Sequence, residues 1–199
     1  MRKELSEMTL EELWELFPIV LEEYNPEYKE WYLTEKNKIE KIVGMNDIKR
    51  INHIGSSSVE GLISKPIVDI LLEVDCNSDV EQIKSKLINA SWTLMSFKSQ
   101  PDLNMSFNKG YTLKGFDEKV FHLHVRFCRD WGELYFRDYL LIHADIAKEY
   151  GRLKQGLKEQ YEHNRDGYTE AKTGFIAKYT KMAREEFGGR YMPDCGNEP

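Results

Sequence analysis

The chain has 199 residues, 41% hydrophobic and 12% aromatic, enough for one domain with a substantial core. Its 28 basic residues face 34 acidic ones, a net charge of −6, which argues against nucleic acid as the main partner but leaves room for a local basic pocket that takes phosphate. No apolar run approaches the ~20 residues that span a bilayer, so no membrane partner is expected. The three cysteines, Cys76, Cys128 and Cys195, form no C-x-x-C pair and read as reduced thiols of a cytoplasmic protein.

The opening "MRKELSEMTLEELWELF" has early basic residues but no apolar h-region and reads as a mature start. Thr9-Leu-Glu-Glu12 is a capping box for a short helix. Asn25-Pro26 restarts one, with Asn25 as N-cap and Pro26 at the first helical position. Tyr28, Trp31, Tyr32, Ile39, Ile42 and Val43 form its apolar stripe, and Gly44 ends it. "DIKRINHIGSS" is a strand running into a Gly-Ser turn, with a short helix after it, and "KPIVDILLEV" is a second strand. "DVEQIKSKLINA" is an amphipathic helix, "WTLMSF" and "LNMSFNKGYTL" are strands, and "KVFHLHVRFC" alternates most clearly of all. From Trp131 to Gly188 the pattern is helical, with breaks expected at "GRLKQG" and "HNRDGYT". Strands early, interleaved with helices, and helices late predict an α+β or α/β domain with a helical C-terminal region.

Side chains alternate across a strand. In "KPIVDILLEV" one face carries Val68, Ile70, Leu72 and Val74, and the other Asp69, Leu71 and Glu73. The two acids stand roughly 13 Å apart along a regular strand, too far for one cation. In "VFHLHVRF" the core face is Phe121, Leu123, Val125 and Phe127, opposed by His122, His124 and Arg126. The two imidazoles are roughly 6.6 Å apart at Cα, near enough to share one metal or one substrate. Neighbouring strands with aligned core faces would converge all five polar groups on one pocket. Gly55 allows close backbone approach at the turn, Ser56 adds a hydroxyl, and the backbone N–H groups there suit an anion. Lys65 precedes Pro66 and is expected extended. Tyr168 and Lys172 share a helix face if one helix holds both, whereas Thr169 as N-cap would leave Tyr168 in a loop.

"HIGSSSVEGLISKPIVDILLEV" resembles the signature of the GrpB family, and "NKGYTLKGF", "FHLHVRF" with "FRDYLLIH", and "DGYTEAKTGFI" agree with it in order. The resemblance runs from about Glu23 to Phe187. It implies a nucleotidyltransferase-like α+β fold, a mixed β-sheet flanked by helices. Together with the element pattern it divides the chain into an N-terminal helix (1–24), the core (25–130), a C-terminal helical region packed on it (131–188) and, from the pattern alone, a flexible tail (189–199). It also implies a phosphate-binding turn at Gly55-Ser56, a metal-binding acid at Asp69, a nucleotide donor and a small-molecule acceptor. Lys65 and Lys172 would neutralise phosphate, Tyr168 would stack, and Arg126 is counted with the substrate contacts. The second acid usual two residues after the first is replaced by Leu71, and a later strand offers His122 and His124 where a third acid is usual. Asp69, His122 and His124 are therefore the expected catalytic and metal-holding set. Magnesium or manganese is the expected ion, and the imidazoles also admit zinc. Three readings stay open: nucleotidyl transfer, a non-catalytic module for a nucleotide or phosphorylated ligand, and a transition-metal hydrolase. Oligomeric state is open.

Overall fold

Period-two apolar patterns become strands here because each strand has one face to bury. In the computed structural model, which describes residues 3–193, these are β1 (Ile48–Ile54), β2 (Ile67–Val74), β3 (Thr93–Lys98), β4 (Asn104–Thr112) and β5 (Gly115–Phe127). They form one sheet of order β1-β2-β5-β4-β3, with β2 and β5 parallel and the other pairs antiparallel. The mixed sheet flanked by helices is the α+β architecture expected.

The helices are α1 (Leu10–Leu16), α2 (Tyr28–Val43), α3 (Val80–Asn89), α4 (Gly132–Ile142), α5 (Ala144–Tyr161), α6 (Arg165–Ala171) and α7 (Thr173–Phe187). Thr9 and Glu12 form the predicted reciprocal capping box on α1. At α2 the start shifts by two residues. Glu27 is the N-cap, and Asn25 Oδ1 accepts its backbone N–H at 2.9 Å, so Asn25-Pro26 shapes the turn before the helix. Gly44, at φ 99°, closes α2 as expected.

One face of the sheet presents Val68, Ile70, Leu72 and Val74 with Met105, Phe107, Leu123 and Val125, covered by Tyr28, Ile39 and Val43 of α2 and by Ile83 and Leu87 of α3. Burying such a side chain contributes about 1.5–3 kcal/mol, and β2 does so along its whole length. The other face is covered as well. Leu71 packs with Ile54 and Leu134, and Val59 and Leu62 pack against Leu140, Ala147 and Tyr150 of the C-terminal helices. The acid-bearing face of β2 therefore lies under the C-terminal helices, with Leu71 and Glu73 buried and Asp69 partly exposed.

Two local expectations change. "GRLKQG" is no break, because α5 runs through it. Gly151 lies against the 62–63 segment, where a Cβ would meet Ile63 Cγ2 at 3.3 Å, so this glycine serves close packing. The expected flexible tail is held at Tyr191, whose carbonyl accepts from Arg50 Nη1 at 2.9 Å and whose hydroxyl donates to Asp138 Oδ2 at 2.5 Å. Residues 194–199, with Cys195, lie outside the described residues. Among the described residues no helix is long and apolar enough to cross a membrane.

Candidate functional site

The β1 strand ends at a turn that only glycine can make. Gly55 has φ 72° and ψ −175°, and a Cβ there would stand 2.3 Å from Asp69 Oδ2. The missing side chain lets the turn close onto the carboxylate. Ser56–Ser58 then form one 3-10 turn, locked by Ser58 Oγ donating to the Gly55 carbonyl at 2.6 Å. His53 supports the turn from behind. Its Nε2 lies 3.1 Å from Ser57 Oγ, and its ring stacks on Tyr32 at 5.0 Å. Burial holds the His53 imidazole down to about 4, so the ring is neutral near pH 7.

The parallel register of β2 and β5 sets Asp69 beside His122. Asp69 Oδ1 and His122 Nδ1 are 2.9 Å apart, His122 Nε2 and the Tyr111 hydroxyl 2.7 Å, and Arg165 Nη2 reaches the same hydroxyl at 3.4 Å. Burial works to raise the Asp69 pKa. The His122 hydrogen bond and the charges of His122, His124 and Lys65 outweigh it and hold the carboxyl at about 2.

Three lysines from separate elements face this acid across a cavity of about 150 Å³. Lys65 follows Ser64, whose backbone is pinned by a reciprocal pair of hydrogen bonds to Glu22 at 2.8 and 2.9 Å. Lys154 comes from α5. It is 2% exposed, donates to the Ile63 carbonyl and lies 4.8 Å over the Tyr150 ring. Lys172 ends α6, with its ammonium 4.2 Å over the Tyr168 ring. Burial, then Arg165 and Lys172, bring Lys65 down to about 7 against the pull of Asp69. Burial, then Lys172 and Lys65, bring Lys154 to about 7, and burial brings Lys172 to about 8, with Asp69 opposing. The cavity crowds positive charge into a poorly solvated space, an arrangement suited to an anion.

The expected residues divide. Gly55, Ser56, Lys65, Asp69, Tyr168 and Lys172 all line the cavity. Tyr168 is inside α6, so the loop alternative for it falls. His122 joins through Asp69. His124 stands one step farther, opposite Leu71 in the register, with its ring edge-on to His122 at 6.5 Å. Arg126 does not join. Its Nη1 pairs with Glu133 at 2.7 Å, its guanidinium lies 4.5 Å over Trp131, and it borders a different cleft. Glu73 closes on Arg50 instead, at 2.6 and 2.9 Å. The single convergent polar face is thus two separate groups, divided by Leu71. The expected three-ligand metal set is corrected too. Among the described residues no three His, Cys, Asp or Glu side chains are placed to share an ion, and both ring nitrogens of His122 are engaged.

Comparison with known proteins agrees with this architecture. The family model described as GrpB protein matches residues 18–182. The chain belongs to the GrpB family. The Glutamate-rich protein GrpB of Alkalihalophilus pseudofirmus is 31% identical over 161 residues, covering 79% of this chain and 91% of that protein. YqkA of Bacillus subtilis is 30% identical over 173 residues, covering 84% of this chain and 48% of that one. The crystal structure of GrpB from Enterococcus faecalis superposes with a TM-score of 0.73 at 27% identity, over 84% of this chain and 99% of that chain. The Cid1 poly(U) polymerase is more distant, with a TM-score of 0.41 at 13% identity, over 81% of this chain and 51% of that chain.

This GrpB-family site also holds residues that sequence reasoning passed over. Lys154 had a readable signal. Ala147, Tyr150, Gly151 and Lys154 are the buried positions of α5, at helical spacing, so a lysine sits where the stripe calls for an apolar residue. Tyr111 lies inside one of the family-like stretches, but its pairing with His122 depends on the β4–β5 hairpin register. No local pattern marks Arg165.

Proposed function

We propose that the cavity binds the phosphate chain of a nucleotide or a similarly phosphorylated small molecule. The observation that carries this is the convergence of Lys65, Lys154 and Lys172 on the Gly55-Ser56 turn, each of them held below its ordinary pKa by burial and, for Lys65 and Lys154, by like charge. Without an anion the arrangement is costly. A phosphate chain would satisfy the three ammonium groups and the turn's backbone N–H groups together. At about 150 Å³ the cavity is smaller than the ~300 Å³ lower bound of drug-sized pockets, so it suits the phosphates while the rest of the ligand lies outside. Titration calorimetry with ATP, GTP, CTP, UTP and tripolyphosphate tests the proposal. Saturable binding is expected, and Lys172→Met should weaken it at least tenfold. Absence of binding to all five at millimolar concentration would overturn it.

A second reading, nucleotidyl transfer to a small acceptor, is favoured by the Asp69 carboxylate, which lines the cavity beside the turn and can orient an attacking hydroxyl by accepting its hydrogen bond. The divalent ion implied by the fold resemblance does not fit the donors. The place of the second acid is Leu71, fully buried against Ile54 and Leu134, and His122 has no free nitrogen. The chemistry open to this chain's own residues is charge neutralisation by lysine and hydrogen-bond acceptance by the Asp69 carboxylate. Release of pyrophosphate from a nucleoside triphosphate in the presence of an acceptor pool would support transfer. Binding without any release favours the module.

A further inference from the structure

We propose that the lysine cavity takes its ligand as a metal-free polyphosphate anion, with ammonium groups standing where a divalent cation would otherwise neutralise the chain. This rests on the phosphate-binding reading above and deepens it.

Three observations converge. The first is the sign of the charge. Lys65, Lys154 and Lys172 line the cavity and Arg165 stands close to Lys65, against one carboxylate, Asp69. A magnesium–polyphosphate complex would bring two further positive charges among them, whereas the free chain brings only negative ones. The second is the wall. A magnesium ion keeps several waters and needs one or two carboxylates beside the phosphates. Two residues along β2 from Asp69, on the same face, stands Leu71, 0% exposed in an apolar cluster, which leaves no polar space for a hydrated ion on that side. The third is the state of the carboxylate. Asp69 Oδ1 is bonded to His122, and Oδ2 lies against Gly55, so close that no Cβ would fit between them. One oxygen of the acid is thus held by a protein group and the other packs on the turn, so the carboxylate serves to hold His122 and the turn. Lys154 is fixed by the Ile63 carbonyl and Lys172 lies over Tyr168, so the positive charge is pre-placed for an anion.

The test uses the full chain and tripolyphosphate as probe, titrated calorimetrically with EDTA present and again with magnesium in excess over the probe. The expected result is binding in EDTA, weakened at least fivefold by magnesium as the ion withdraws free anion. Affinity in magnesium equal to or above that in EDTA would overturn the inference. Binding in neither buffer sinks the phosphate-binding reading itself, a result distinct from binding that requires the ion.

Discussion

Replacing Gly55 with alanine puts the geometry of the turn at risk in two separable ways. The backbone at φ 72°, ψ −175° lies in a region essentially confined to glycine, where another residue costs about 1–3 kcal/mol. The new Cβ would also meet Asp69 Oδ2 at 2.3 Å and its Cγ at 3.1 Å, so the carboxylate must move off His122. Losing a hydrogen bond to a charged group costs about 1.5–3 kcal/mol. Together these predict a loss of about 3–5 kcal/mol. For a domain of this size each kcal/mol moves Tm by about 2–4 °C, so a fall of roughly 10 °C is expected in a calorimetric melt at pH 7. A double-mutant cycle separates the parts. In the Asp69→Ala background the Oδ2 and Cγ contacts are gone and only the 3.1 Å approach to the residue's Cβ remains, so Gly55→Ala should cost little more than the backbone strain, a coupling of about 1.5–3 kcal/mol. A Gly55→Ala protein melting within about 2 °C of wild type, or a penalty unchanged in the Asp69→Ala background, would refute the claim that this glycine exists to admit the carboxylate.

Two further outcomes follow from buried charge. Lys65, Lys154 and Lys172 have folded pKa values of about 7, 7 and 8, below the ordinary 10.5, so the unfolded chain binds more protons between about pH 7 and 10 and their contribution to stability rises with pH through that window. Each can add a slope of up to about 1.4 kcal/mol per pH unit, and Lys154→Met should flatten urea-derived stability between about pH 7 and 9.5 by up to that amount; an unaltered slope would mean that Lys154 keeps its proton. Glu73, 0% exposed, accepts from Arg50 Nε and Nη2 and from the Arg129 backbone N–H at 3.3 Å, so Glu73→Ala strands a partly buried guanidinium and should cost about 3–5 kcal/mol in denaturant melts, whereas a loss under about 1 kcal/mol would show that Arg50 finds another partner.

The sheet was legible in the sequence because strand alternation is local. Asp69 interrupts an apolar run, and both histidines of β5 fall on one parity, so a shared polar face could be read before the strands were known to be neighbours. What alternation could not show was how far that face stays polar. Leu71 divides it, and the partners of Glu73 and Arg126 come from β1 and α4, elements that say nothing locally about whom they will meet. Lys65 and Lys172 were found through the family resemblance. Lys154 could have been found from α5 alone, as a cation on a buried stripe, but a lysine on a mostly charged helix is easily assigned to the solvated face. The glycines of "GRLKQG" misled for a related reason. Gly151 is tolerated inside a long helix because the neighbouring 62–63 segment needs the space, and helix propensity carries no record of what packs outside.

The lysines also say where a ligand should act on the fold. Lys65 belongs to the segment leading into β2, while Lys154 and Lys172 belong to α5 and the end of α6, so the cavity lies on the seam between the sheet and the C-terminal helices. With no anion present, like charges face one another across that seam, opposed by Asp69 and by the apolar contacts of Val59 and Leu62 with Ala147 and Tyr150. A bound polyphosphate turns this repulsion into a bridge. At one hundred times its dissociation constant it stabilises the folded state by about 2.7 kcal/mol. Because the bridge crosses one seam, slower amide hydrogen exchange should concentrate in α5, in α6 and in residues 55–65, the elements whose opening would separate the charges. The β3 and β4 strands, on the far side of β5 from β2, should change least. Exchange that slows equally everywhere, or that slows in β3 and β4 while α6 is unaffected, would place the anion elsewhere and leave the convergence of the three lysines without a physical cause.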